Sequence, residues 1–252
     1  METTPGTLLG GRVRYAQPAQ GYRTGIEPVI LAAAIPARPG DAVLEAGLGA
    51  GAGLLCLHAR VPGVQVTGVE LDPATAGVAR HNLADNGAEC CTVLTLDITG
   101  PDAPDLLGQG RFNHAYANPP WHDTAGTLPA HALRSLAKHA APSGLAGWTT
   151  ALVRAVRPGG TVTLVLPAGA AFRGLAALRL EGCGGLTLLP LWPKPGRDAR
   201  LVLVQGRRGS RTTDRVMPGL VLHRLDGGFT PEADAVLRSG QGLDMGGSRR
   251  AS

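Results

Sequence analysis

Ala42-Val43-Leu44-Glu45-Ala46-Gly47-Leu48-Gly49-Ala50-Gly51 passes from an apolar run into a glycine-rich turn, and Ala52 to Arg60 then reads as a helix. A run of five apolar or small residues bounded by glycine is strand-sized, and glycines let the following backbone turn sharply and approach a ligand closely. Amides at the start of the helix then point at whatever occupies the turn. Dinucleotide enzymes use a similar turn, and so does a tight strand-to-helix connection with no ligand.

Outward from this stretch the pattern repeats. Strands are predicted at residues 42–46, 64–70, 92–96, 112–117, 161–166, 186–191 and 200–205. Helices are predicted at residues 27–35, 52–60, 73–86, 145–156 and 170–180, with Pro73 in a favourable first-turn position and Asp72 as its cap. Alternation of this kind argues for an α/β fold, a seven-stranded, mostly parallel sheet with helices on both faces. Residues 1–40 read as an extension that covers the substrate or cofactor, residues 41–239 as the main domain, and residues 240–252, rich in Gly, Ser and Arg, as a disordered tail.

Ligands of open α/β sheets sit at the carboxyl ends of the strands. Glu45, Gly47, Gly49 and Gly51 fall there on the first strand, Glu70 at the end of the second and Asp97 after the third. A carboxylate at Glu70 suits the two hydroxyls of a ribose, and one at Asp97 suits an adenine amino group. After the fourth strand comes Asn118-Pro119-Pro120-Trp121. Two prolines end the ladder and stiffen the chain, so an amide, a backbone carbonyl and an aromatic face are presented together. That combination grips a flat, amino-bearing group.

Composition narrows the class. The formal charge is +5, and only Lys138 and Lys194 of the basic residues are lysines, so arginine dominates and a polyanionic partner is favoured. Arg12, Arg14, Arg23, Arg207, Arg208, Arg211 and Arg215 are candidate phosphate contacts. Cys56, Cys90, Cys91 and Cys183 show no C-x-x-C spacing and are expected to be reduced thiols, with no metal site. No apolar run is long enough for a membrane span, and no basic-then-apolar leader opens the chain, so a cytoplasmic protein is expected.

Together these motifs resemble class I S-adenosylmethionine-dependent methyltransferases. The resemblance implies S-adenosyl-L-methionine as cofactor, held by Glu45, Gly47, Gly49, Gly51, Glu70, Asp97 and Asn118. It implies Asn118, Pro119, Pro120 and Trp121 as the catalytic motif of enzymes that methylate adenine N6, cytosine N4 or a glutamine amide. The segment from Gln20 to Pro28, with Ala137-Lys138-His139, Pro158-Gly159-Gly160, Ala199 to Gln205 and Leu220 to His223, is further similar to bacterial tRNA adenine-N6-methyltransferases that act beside a valine anticodon. That likeness covers most of residues 12–240 and implies Tyr22, Arg23 and Trp121 as substrate contacts, with RNA, most simply tRNA, as partner. Glu27 stands where that group is expected to carry aspartate, and Trp121 where tyrosine or phenylalanine is commoner.

Rival readings are a protein glutamine methyltransferase, a methyltransferase for another amine of rRNA or DNA, a nicotinamide-dependent oxidoreductase and an RNA-binding module that keeps the fold. The first usually carries a separate helical domain ahead of the first strand, for which residues 1–40 are too few. The oxidoreductase explains the glycine turn and Glu70 but not Asn118 to Trp121. His122 and Asp123 are loop polarity unless the reaction needs a base, and residues 123–144 form a plausible substrate lip.

Overall fold

The computed structural model describes residues 1–20, 23–120 and 144–246. Tyr22, Trp121, His122, Asp123, most of the expected substrate lip and residues 247–252 lie outside them. The chain opens with a hairpin, β1 (Thr3–Leu8) and β2 (Val13–Pro18), followed by α1 (Glu27–Ala33). It continues as β3 (Ala42–Ala46), α2 (Ala52–Arg60), β4 (Gln65–Glu70), α3 (Pro73–Asp85), β5 (Thr92–Thr95), α4 (Ala103–Leu107) and β6 (Phe112–Ala117). From residue 144 onward come α5 (Gly144–Ala155), β7 (Val156–Pro167), α6 (Ala171–Leu180), β8 (Cys183–Trp192) and β9 (Leu201–Arg208). The two-residue strands β10 (Arg215–Val216) and β11 (Leu220–Val221) and the helix α7 (Pro231–Leu237) complete it.

The central sheet runs β8-β9-β7-β6-β3-β4-β5, with β10 and β11 both added to the outer side of β8. All seven expected strands are present, and the two short ones raise the sheet to nine. Neither short strand is long enough to show a two-residue alternation, so only pairing with β8 defines them. Strands β5, β4, β3, β6 and β7 run parallel, whereas β9 enters antiparallel between β7 and β8.

Alternation along the strands divides the core between two faces. Val43, Val66, Tyr116, Val165 and Leu203 join the cluster that includes α1, α2 and α3. Leu44, Val69, Ala117, Leu164 and Val204 join the cluster that includes α4, α5 and α6. Leu54, Leu55 and Leu57 are at most 1% exposed, and each fully buried leucine stabilises the fold by about 1.5–3 kcal/mol.

The extension ahead of β3 is anchored rather than loose. Pro5 and Gly6 read as breakers, yet β1 is an edge strand, where proline is tolerated. The signal for β2 was the alternation of buried Val13 and Tyr15 with exposed Arg14. Two amides, Asn82 of α3 and Asn86 just past its end, clip this strand as a neighbouring strand would. Asn82 accepts from Ala16 N at 2.9 Å and donates to Ala16 O at 2.7 Å and to Ala50 O at 2.8 Å. Asn86, one turn on, accepts from Arg14 N at 2.9 Å and donates to Arg14 O at 2.7 Å. Asn82 thereby joins hairpin, helix and glycine turn through one buried side chain. The expectation of a disordered tail from Gly240 is corrected for residues 240–246, because Leu243 N bonds Ala33 O at 2.8 Å and Met245 is buried in the core.

Replacing Asn82 by Ala strands the buried Ala50 carbonyl and the half-buried N–H and carbonyl of Ala16, and a loss of about 2–4 kcal/mol is expected from their missing hydrogen bonds. Urea unfolding measures it, and a change below about 0.5 kcal/mol, typical of a surface site, would show that the clip is not structural.

Candidate active site

The chain reverses direction along the sheet at β3: β4 and β5 build to one side, β6 and β7 to the other. This switch point opens a crevice at the carboxyl ends of β3 and β6. Register places the motifs side by side there. Ala46 pairs with Ala117 on one side and with Val69 on the other, so Gly47, Glu70 and Asn118 leave adjacent strands together. Asp97 follows β5 beyond Glu70. From Asp97 to Asn118 the row spans three strand spacings, about 14 Å.

Gly47, Gly49 and Gly51 have φ of 70°, 58° and 93°, a region costly to other residues. Gly47 N and Leu48 N both donate to Val69 O at 2.9 Å, which pins the turn to β4. A side-chain carbon on Gly47 would meet the Trp148 ring at 3.0 Å, whereas one on Gly49 would point into open space. Gly49 is thus the open part of a cradle whose floor is the amino end of α2.

Glu70 stands at the rim. Its Oε2 accepts from Gly49 N and its Oε1 from Asp72 N, each at 2.9 Å. A carboxylate offers about four acceptor positions, so two remain for the hydroxyls of a ribose. Asp97 Oδ1 accepts from Thr99 N at 2.9 Å and Thr99 Oγ1 at 2.8 Å, while Oδ2 has no partner among the described residues. Asp72 caps α3 by accepting from Thr75 N at 2.8 Å, as its position before Pro73 predicts. Asn118 is exposed and Pro119 buried, so the amide projects from a fixed backbone.

Glu45 lies underneath rather than in the cradle. It is 5% exposed. The Tyr116 hydroxyl donates to its Oε2 at 3.0 Å, and the Leu54 amide in the first turn of α2 donates to the same carboxyl group. Gly51, the residue before α2, supplies no side-chain cap, so Glu45 replaces one from below. A side chain on Gly53 would collide with Glu45 Oε1 at 2.3 Å, which explains glycine inside this helix.

The sequence matches the methyltransferase small domain family over residues 28–145. It is similar to a predicted O-methyltransferase of Agrobacterium tumefaciens, whose crystal structure superposes with a TM-score of 0.71 at 25% identity over 86% of this chain and 97% of that one. The chain is a class I methyltransferase. Among curated relatives it is 26% identical over 221 residues to the tRNA1(Val) (adenine(37)-N6)-methyltransferase of Porphyromonas gingivalis, covering 83% of this chain and 85% of the relative. It is also 36% identical over 89 residues to the release factor glutamine methyltransferase of Deinococcus radiodurans, covering 35% and 29%. S-adenosyl-L-methionine is its methyl donor. The open cradle at Gly49, the two free acceptor positions of Glu70 and the free Asp97 oxygen fit that donor's methionine, ribose and adenine parts.

The arginines of the methyltransferase divide differently from the sequence expectation. Because β9 is antiparallel, Arg207 and Arg208 lie beside the start of β7, at the sheet edge opposite Asn118. They donate to Gly159 O and Val156 O, while Arg12 donates to Ser239 O, Arg14 to Asp85 O and Arg215 to Gly246 O. These guanidinium groups brace the backbone. The same reversal brings the β8–β9 loop to the catalytic edge, where Arg197 and Arg200 are exposed and Ala168 N bonds Arg200 O at 2.9 Å. Arg23 is also exposed, next to Thr24, whose hydroxyl bonds Tyr15 at 2.7 Å. A cavity of about 470 Å³ lined by Arg38, Asp41, Arg60, His114 and Arg207 lies at the amino ends of the strands, and Gly49, Glu70, Asp97 and Asn118 are not in its lining.

Sequence reasoning missed Trp148 as the wall of the cradle and Tyr116 as the partner of Glu45. Trp148 carries no local signal, since its role arises only when α5 packs over β3. Tyr116 sits in the alternation of β6, which places it on the same side of the sheet as α2.

Burial raises the Glu45 carboxyl from its ordinary 4.5 to about 8, the Tyr116 and Leu54 hydrogen bonds offsetting part of the shift. Between those values the folded chain holds a proton that the unfolded chain releases, so stability falls as pH climbs through this window and levels above it. Glu45→Gln keeps the shape without the proton and should lack this component, on the order of a few kcal/mol. Urea unfolding of both proteins from pH 4.5 to 9 checks it. A difference independent of pH would contradict a buried, protonated Glu45.

Proposed function

We propose that this methyltransferase transfers a methyl group to N6 of an adenine in tRNA near the anticodon, in the cytoplasm. The observation that carries the reading is the position of Asn118 and Pro119, one residue beyond the Ala46–Ala117 pair and therefore beside the cradle at Gly47. The relative in Porphyromonas gingivalis supports the choice of acceptor.

An exocyclic amine is a poor nucleophile because its lone pair is delocalised into the ring. The Asn118 side-chain carbonyl accepts a hydrogen bond from one amino hydrogen, and the Pro119 backbone carbonyl accepts from the other. Holding both hydrogens turns the nitrogen lone pair toward the cradle and stabilises charge that develops there. S-adenosyl-L-methionine, held by the cradle at Gly49 and by Glu70 and Asp97, would supply an electrophilic methyl on sulfur to that nitrogen. The extra proton leaves the product amine for solvent, so no side chain has to act as a strong base.

Magnitudes favour a loop substrate. Stacking of the base on Trp121 contributes roughly 1–3 kcal/mol, and extruding a base from a duplex costs on the order of a few kcal/mol. Two hydrogen bonds and one stack balance extrusion from a loop and leave little for a duplex. Arg23, Arg197 and Arg200 carry exposed positive charge at or near the catalytic edge, suited to the flanking phosphates.

Labelled methyl transfer to total tRNA, rRNA and release-factor protein, followed by mass spectrometry of the digests, tests the assignment. N6-methyladenosine confined to tRNA is expected. Methylglutamine in protein, or label only in rRNA, would overturn it.

A further inference from the structure

On the sheet edge opposite the active site, three side chains meet that serve no role in methyl transfer. His58 lies in the last turn of α2, and Cys90 and Cys91 fall in the connection between α3 and β5. Their ligand atoms all lie within 4.8 Å of one another. His58 Nδ1 is 3.7 Å from Cys90 Sγ and 4.0 Å from Cys91 Sγ, and the two sulfurs are 4.0 Å apart.

These separations are those of ligands around one ion. With Zn–S of about 2.3 Å and Zn–N of about 2.0–2.1 Å, tetrahedral angles place the sulfurs about 3.8 Å apart and S···N about 3.6 Å. Trigonal angles raise these to about 4.0 and 3.8 Å. The observed triangle lies between the two geometries to within a few tenths of an ångström and needs no backbone movement. A disulfide would need the sulfurs drawn in to about 2.05 Å.

We infer that His58, Cys90 and Cys91 form a binding site for one Zn2+ ion per chain, joining the end of α2 to the turn before β5. Two thiolates and an imidazole select a thiophilic cation over Mg2+ or Ca2+. Cys91 is buried and fixes one side of the site, while Cys90 is exposed and gives the ion a path in from solvent. Water completes the fourth position on the open side. Binding exchanges two thiol protons for the cation, and both protons pass to solvent. The site lies at the amino ends of the strands, since Thr92 opens β5 and pairs with Thr67 of β4. It therefore braces the fold without touching Glu70 or Asn118.

The full, untagged, reduced chain is titrated with Zn2+ against a chromophoric chelator, and with Co2+ to detect thiolate-to-metal charge transfer. One equivalent is expected to bind with the thiolate band, and the unfolding temperature is expected to rise with metal concentration. Cys90→Ser and His58→Ala, both at solvent-accessible positions, should each weaken binding at least about a hundredfold. His81→Ala, an exposed histidine on α3 paired with Asp85, should bind as the wild type does. Methyl transfer should be unchanged by a chelator. Failure to bind one equivalent, undiminished binding in Cys90→Ser or His58→Ala, or quantitative Cys90–Cys91 disulfide formation in place of metal uptake would overturn the site.

Discussion

A single buried carboxyl group holds the two halves of the catalytic edge in register. Glu45 is bonded at once to Tyr116 of β6 and to the Leu54 amide of α2. The first bond ties the strand that ends in Asn118 to the strand that ends in the glycine turn. The second completes the amino end of the helix that floors the cradle. Desolvation makes this costly for a charged carboxylate, which is why burial pushes the group toward its protonated form. A neutral acid here still accepts from a helix amide and a phenol while burying no net charge. Position of the cofactor turn relative to Asn118 then follows from covalent geometry and strand register.

Strand direction decides the rest. The switch at β3 opens the crevice between the glycine turn and Asn118, and the parallel strands bring Glu70 and Asp97 to the same rim. One antiparallel strand, β9, inverts the surface logic: the arginines at its end are carried away from the site and those before it are carried toward it. Arg197, Arg200 and Arg23 are therefore the exposed arginines available to the phosphates of the proposed RNA substrate, whereas the guanidinium groups of Arg207 and Arg208 close the far end of the sheet.

Most of the sheet was legible in the sequence because its signals are local. Apolar runs of strand length, Pro73 after Asp72, and glycines after Ala46 each act over a few residues, and all reappear as predicted elements. The rim acids were legible for the same reason, since each sits at or just past a strand end. Contacts across long separations were not legible. Asn82 gripping β2, Trp148 over Gly47, Tyr116 under Glu45, and His58 beside Cys90 all depend on packing between elements. The hairpin was hidden by Pro5 and Gly6, which local rules count against a strand and an edge position permits.

In the proposed reaction labour is divided: Glu70 holds the donor, and Asn118 with Pro119 aligns the amine. Calorimetric titration with S-adenosyl-L-homocysteine, paired with single-turnover transfer at saturating S-adenosyl-L-methionine, separates the two in Asn118→Ala and Glu70→Ala. Asn118→Ala should bind within about threefold of wild type while transfer falls by about 10²–10³-fold, as for loss of one aligned donor or acceptor. Glu70→Ala should lose about ten- to a hundredfold in affinity and keep most of its saturated rate. Wild-type transfer by Asn118→Ala, or equal loss of binding and rate in both variants, would contradict that division.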